Sequence, residues 1–164
     1  RHPTLSAAGS CNVHRMTACE LCVTPGGTLL WQDERCRVVR VGGAEGVAFP
    51  GFCRVIWTAH VREMTDLAPD ERHHLLDVVA GVERALHDLV RPDKINLASL
   101  GNVVPHLHWH VIPRWRDDSH FPAPIWATAA RPMPERTQPD HDSLATALAR
   151  TLAPSLAAHP RGAA

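Results

Sequence analysis

The chain lacks an excess of either charge. Its 17 Lys and Arg balance 17 Asp and Glu, so the formal net charge is zero with His neutral. Dedicated nucleic-acid binders and polybasic membrane surfaces both carry a basic excess, so neither partner is expected. The chain has no apolar run near the ~20 residues that span a bilayer. The first ten residues show no basic start followed by an apolar block, so no export signal is read there and a cytoplasmic location is expected. Tyr is absent and aromatics make up only 5% of the chain; this excludes no function by itself. No internal repeat is present. A length of 164 residues fits one domain of ordinary size, large enough to bury its own core.

Cysteine is present in an odd number. Cys11, Cys19, Cys22, Cys36 and Cys53 include one Cys-x-x-Cys pair, Cys19 and Cys22. Without an export signal, a metal site or a redox pair is the reading of that spacing, ahead of a disulfide framework. Cys36 and Cys53 sit in apolar runs and read as plain buried thiols.

The run His106-Leu107-His108-Trp109-His110-Val111-Ile112 is the most informative feature. Its period of two places three imidazoles on one face of a strand, with Leu107, Trp109 and Val111 turned into a core. Histidine changes charge near neutral pH, serves as acid or base, and ligates metals as the neutral ring. A lone His on a strand is usually structural; three in strict alternation point to chemistry.

Other elements follow from pattern. Thr28 to Gln32 and Cys36 to Val41 read as a hairpin around Asp33-Glu34-Arg35, and the glycine-rich stretch 42–51 reads as a loop. Phe52 to Thr58 reads as a strand. Pro69, with Asp70 and Glu71 behind it, opens a long helix. Leu75, Leu76, Val79, Val82, Leu86 and Leu89 mark its core stripe, while His73, His74 and His87 are expected at its surface. Lys94 to Ser99 is the next strand. The stretch 116–139 reads as an extended arm, and 143–156 as a short helix. Strands, one long helix and more strands give an α+β domain.

The triad, its following Pro113-Arg114, and an upstream Asn96 resemble the histidine-triad (HIT) family, in particular its bacterial branch similar to diadenosine polyphosphate hydrolases. The resemblance runs from about Cys19 to Trp126. It implies a HIT-like fold: an antiparallel sheet, one long helix and a C-terminal arm or helix. It divides the chain into a flexible arm over 1–18, a catalytic domain over 19–126, and a C-terminal arm with a short helix over 127–164. It implies a homodimer and a nucleotide substrate.

The resemblance also assigns roles. His108 is implied as the nucleophile toward an α-phosphorus, with His110 contacting phosphate oxygens and His106 completing the triad. Asn102 stands where the family has a phosphate-contacting Gln, and Val103 where it often has Ser. Asn96 is implied at the phosphate or in ordering the triad. Glu45 stands in for a ribose-binding acid, and Arg114 for a contact to a distal phosphate. Trp115 and Trp126 are expected against a base or a partner subunit. Cys19 and Cys22, with His60 and His106, match a structural zinc set used by some HIT proteins. The implied activity is hydrolysis or transfer at the α-phosphate of dinucleoside polyphosphates through a nucleotidyl-histidine. Nucleoside phosphoramidate hydrolysis and nucleotide binding with little turnover are the alternatives.

Overall fold

The computed structural model describes residues 19–158. The arm expected over 1–18, with Cys11, lies outside the described residues. The hairpin forms as its sequence predicts, with β1 (Thr28–Gln32) antiparallel to β2 (Cys36–Arg40). Its turn is closed by Asp33, whose Oδ1 accepts the Arg35 and Cys36 N–H groups at 2.8 and 2.6 Å. Strand β2 pairs with β3 (Cys53–Trp57), β3 with β5 (His108–Arg114), and β5 with β4 (Lys94–Ala98). The result is one antiparallel sheet in the order β1-β2-β3-β5-β4.

Two short helices precede the long one. Helix α1 (Glu20–Val23) opens the described chain, and α2 (Gly43–Ala48) stands where the glycine-rich stretch reads as a loop. Gly46 explains why small residues are needed in α2: a Cβ there would lie 2.1 Å from the Val41 carbonyl oxygen. The glycines mark a close backbone approach, not an open loop.

The long helix α3 (Pro69–Val90) starts at Pro69, and the Glu71 carboxylate reaches back to accept the Ala68 N–H at 2.8 Å. Arg91 ends it in the left-handed conformation. Leu75, Val79, Val82 and Leu86 are fully or almost fully buried, but Leu76 is 43% exposed and leaves the predicted stripe. His74 corrects the expectation of a surface residue. It is buried, and its Nε2 lies 2.8 Å from Asp33 Oδ2, so α3 is tied to the hairpin turn. A polar residue counted as surface because of its type is here buried with a partner.

Helix α4 (His141–Ala158) is longer than the predicted one and does not lie apart from the domain. Asp140 precedes it and accepts the Ser143 N–H at 2.8 Å, satisfying one open donor of the first turn. Leu144, Leu148 and Leu152 are fully buried in the same cluster as Val55, Leu75, Val82 and Val111. Gly81 permits the crossing, since a Cβ on it would lie 2.4 Å from Leu152 Cδ2. Cys36 and Cys53 are buried thiols in this core, as their apolar context predicts, and burial pushes Cys53 up to about 12.

The helices thus cover one face of the sheet, where Leu107 and Val111 point, with Trp109 packed at the edge of the same cluster. The other face carries His108 and His110. Its coverage comes from segments without long helices: the first described residues, α2, and the stretch after β5.

Truncation at α4 tests whether that helix belongs to the core. Leu148→Ala is expected to destabilise the fold by about 2–5 kcal/mol, read as a lower urea midpoint with an unchanged slope. An unshifted midpoint would show that α4 does not contribute to the cooperative unit.

Candidate functional site

The site is built outward from β5. Its alternation places His108, His110, Ile112 and Arg114 on the face opposite the helices. His106 lies just before the strand, in a bend, so the three imidazoles are not all on one regular strand. The Leu107 carbonyl still accepts the Trp57 N–H at 3.1 Å, which continues the pairing with β3. The bend turns His106 away from its two neighbours and toward Cys19 and Cys22.

Those four metal-type residues converge. His106 Nδ1 lies 3.4 Å from Cys19 Sγ, 3.5 Å from Cys22 Sγ and 3.3 Å from His60 Nδ1. Cys22 Sγ lies 3.4 Å from His60 Nδ1. All four ligand atoms fall within 4.8 Å of one another. Tetrahedral Zn with bonds of about 2.0–2.3 Å has N–N edges of about 3.3 Å and N–S edges of about 3.5 Å. The donor set and the spacing both fit such an ion. His106 Nε2 donates to the Trp57 carbonyl at 2.7 Å, so the neutral ring keeps its lone pair on Nδ1, facing the cluster. Burial lowers the His106 pKa and favours that neutral ring, against the opposing effect of the Trp57 bond.

His108 is set by the same residue. Its Nδ1–H donates to the His106 carbonyl at 2.6 Å. The remaining ring nitrogen, Nε2, is therefore the basic one. Burial lowers the His108 pKa, and the nearby Arg54 adds to this. The ring lines a cavity of about 440 Å³ together with His110, Arg54, Asn102 and Trp126. The His110 ring stands edge-on to His108 with centroids 4.8 Å apart, and to Trp126 at 5.1 Å. Burial, then His108 and Arg54, bring the His110 pKa down to about 4, so it is neutral at physiological pH. The chemistry available is that of a neutral, oriented imidazole beside a second neutral imidazole in a half-enclosed, partly apolar cavity.

The other expected site residues divide. Asn102 lines the cavity and is exposed, with Val103 beside it 93% exposed. Trp126 forms part of the cavity wall. Trp115 instead stacks under the Arg136 guanidinium, 4.5 Å from its ring centroid. Glu45 does not line the cavity; its carboxylate pairs with Arg54 at 3.7 Å.

Arg114 is a correction, and Asn96 is engaged away from the cavity. Arg114 is 1% exposed and does not reach the cavity as a phosphate contact. Its Nε and Nη2 fork onto Asp118 at 2.7 and 3.0 Å, Nη1 donates to Asn96 Oδ1 at 2.7 Å, and Nη2 to the Ala123 carbonyl at 2.9 Å. Burial raises the Asp118 pKa, but Arg114 and the His120 and Phe121 N–H groups outweigh it and hold the carboxyl below its usual value. Asn96 is thus engaged in this buried network, two residues from the Ala98 that pairs with His110. The network ties the stretch 115–123 to the end of β5 and to β4. Residue type and nearness to the triad suggested a phosphate contact; the acid four residues on, Asp118, was the signal of a buried partner.

Arg54 is the functional candidate that pattern reading passes over. It lies on β3 directly across from His110. Within Phe52 to Thr58 it is the single charged residue, but which strand faces it cannot be read from the chain alone.

Comparison with known proteins agrees with this geometry. Two curated relatives, each an AP-4-A phosphorylase of Mycobacterium tuberculosis, are 31% identical over 78 residues, 44% of this chain and 40% of theirs. The chain thus matches less than half the length of those relatives. A histidine triad protein of Bradyrhizobium japonicum is 25% identical with TM-score 0.61, covering 77% of this chain and 91% of that one. A Zn-bound histidine triad family protein of Mycobacterium smegmatis shares the fold at 22% identity and TM-score 0.54, over 87% of this chain and 98% of that one. The predicted α+β architecture is that of these neighbours. The HIT domain model matches residues 28–117, more than half of the sequence, and the chain belongs to the HIT domain family.

Proposed function

We propose that the chain is a nucleotide hydrolase or transferase acting at the α-phosphate of dinucleoside polyphosphates, through a nucleotidyl intermediate on His108. One observation carries the reading: the Nδ1–H of His108 is committed to the His106 carbonyl at 2.6 Å, which leaves Nε2 as the basic nitrogen of a ring lining the cavity. Nε2 attacks the α-phosphorus; a P–N bond forms, and the bond to the leaving polyphosphate oxygen breaks. An acceptor then attacks the same phosphorus and the P–N bond breaks, returning the electron pair to Nε2. Two easier displacements replace one difficult one. His110 and Asn102 are the neighbouring groups placed to donate to phosphate oxygens as charge develops. The acceptor is water in hydrolysis and orthophosphate in phosphorolysis, the activity in the relatives' name. With an adenine substrate the first releases AMP and the second ADP.

The proposal extends to the metal. Zinc held by Cys19, Cys22, His60 and His106 would be four-coordinate and closed, and would supply a cross-link with no part in activating water. Its role is to hold the bend whose carbonyl orients His108. The catalytic unit is taken as 19–126 with α4 docked on it, working as a homodimer in the cytoplasm. No helix among the described residues is long and apolar enough to cross a membrane.

Three outcomes are expected. Quenching the wild type with a labelled nucleotide should leave an acid-labile, alkali-stable label on the protein, and His108→Ala should lose label and turnover while retaining nucleotide binding. His110→Ala should slow turnover by about 10²–10³-fold, the usual cost of one charge-stabilising donor. Full activity in His108→Ala, or turnover without label, would reject the mechanism and leave the binding-protein alternative. Elemental analysis should find one zinc per chain, lost in the Cys19→Ser, Cys22→Ser double variant along with thermal stability. One zinc retained in that variant would place the metal elsewhere.

A further inference from the structure

The cavity beside His108 holds one cation whose hydrogen bonds are largely unmade. Arg54 stands directly across the ladder from His110, so its side chain rises on the same face as the two catalytic imidazoles. It is the one Lys or Arg among the described residues lining the cavity. Its Nε is buried with no hydrogen-bond partner. Its two polar side-chain contacts among the described residues are long: Nη1 to the Gly26 carbonyl at 3.3 Å, and Nη2 to Glu45 Oε2 at 3.7 Å. Glu45 is itself 45% exposed at the side chain.

The contrast with Arg114 is informative. Both arginines project from the same face of the sheet, but Arg114 makes four bonds of 2.7–3.0 Å and is closed to any ligand. Arg54 keeps donors in hand at the place where substrate must lie. A buried guanidinium donor without a partner is costly, and a planar fork of N–H groups matches phosphate oxygens better than any neutral residue. An apolar side chain would fill this strand position without that cost. The Phe52 ring, 6.0 Å from the guanidinium carbon, supports its stem.

We propose that Arg54 is the specificity residue of the site: it binds the leaving polyphosphate, exchanging its loose pairing with Glu45 for phosphate oxygens. The inference rests on the α-phosphate reading above and adds a substrate class to it. A polyphosphate leaving group carries negative charge beyond the α-phosphate. The amine leaving group of a phosphoramidate carries none, so Arg54 separates the two substrates.

The test compares kcat/KM for diadenosine tetraphosphate and adenosine 5′-phosphoramidate in the wild type, Arg54→Met and Arg54→Lys. Met keeps the stem and removes the charge; Lys keeps the charge and loses the fork. Arg54→Met is expected to lose about 10²–10³-fold on the polyphosphate, the scale of one lost charge-stabilising contact, and less than about 5-fold on the phosphoramidate. Arg54→Lys should recover part of the first loss. Equal losses on both substrates, or none on the polyphosphate, would overturn the proposal. If the wild type turns over neither, calorimetry with AMP and ADP decides. ADP should bind the wild type at least about 10-fold tighter than AMP, and Arg54→Met should abolish that preference; an unchanged preference would overturn it. Trapped label on wild-type His108 with no Arg54 discrimination defeats this inference alone, whereas turnover without label defeats the α-phosphate reading itself.

Discussion

The site depends on how one residue, His106, is held. Its ring is fixed at both nitrogens, Nε2 by the Trp57 carbonyl at 2.7 Å and Nδ1 within the Cys19, Cys22 and His60 cluster. Its own carbonyl then fixes the tautomer of His108 at 2.6 Å. The order of causes is metal-type cluster, backbone bend, hydrogen bond, His108 tautomer. A cluster set apart from the cavity is therefore linked to the tautomer of His108 through a single peptide group. This is the orienting role that carbonyls and carboxylates play behind catalytic and ligating imidazoles.

Electrostatics at the site follow from burial. His110 is neutral because the cavity wall desolvates it and Arg54 stands nearby. A neutral imidazole can donate to a phosphate oxygen and cannot contribute full charge. Among the described residues lining the cavity, the fixed positive charge thus falls to Arg54. The Arg54 guanidinium and the His108 imidazole stand on two different strands, so under the proposed mechanism Arg54 meets an anion without blocking Nε2.

Much of this was legible in the chain. Period-two alternation fixed the face of His108 and His110, because side-chain direction in a strand is a local property. The start of the long helix was legible through Pro69 and its acids. The Cys-His cluster came only by resemblance, since 84 residues separate Cys22 from His106. Partners across the sheet were not legible. Arg54 and His110 are neighbours through the β3–β5 register, which no local pattern encodes. His74 and Arg114 were misjudged for one reason: charge and polarity suggest exposure, whereas burial is offset by an acidic partner, the distant Asp33 for His74 and Asp118 four residues on for Arg114. The segment 143–156 announced a helix, but not that α3 would offer Gly81 as the place to dock it.

Strand β5 joins these facts into one argument. At its start, His106 is tied to the cysteine pair and to Trp57. At its end, Arg114 is locked into Asp118, Asn96 and Ala123. Between them lie His108, paired with β3, and His110, paired with both β3 and β4. A strand fixed at both ends and on both edges cannot shift its register without breaking bonds to every one of these partners. A one-residue slip would exchange the imidazole face for the Trp109 and Val111 face. The buried arginine, enclosed by its own partners, thus serves the site by the same means as the metal-type cluster. Each pins one end of the strand, and a nucleophile held to a fraction of an ångström is what the proposed in-line displacement demands.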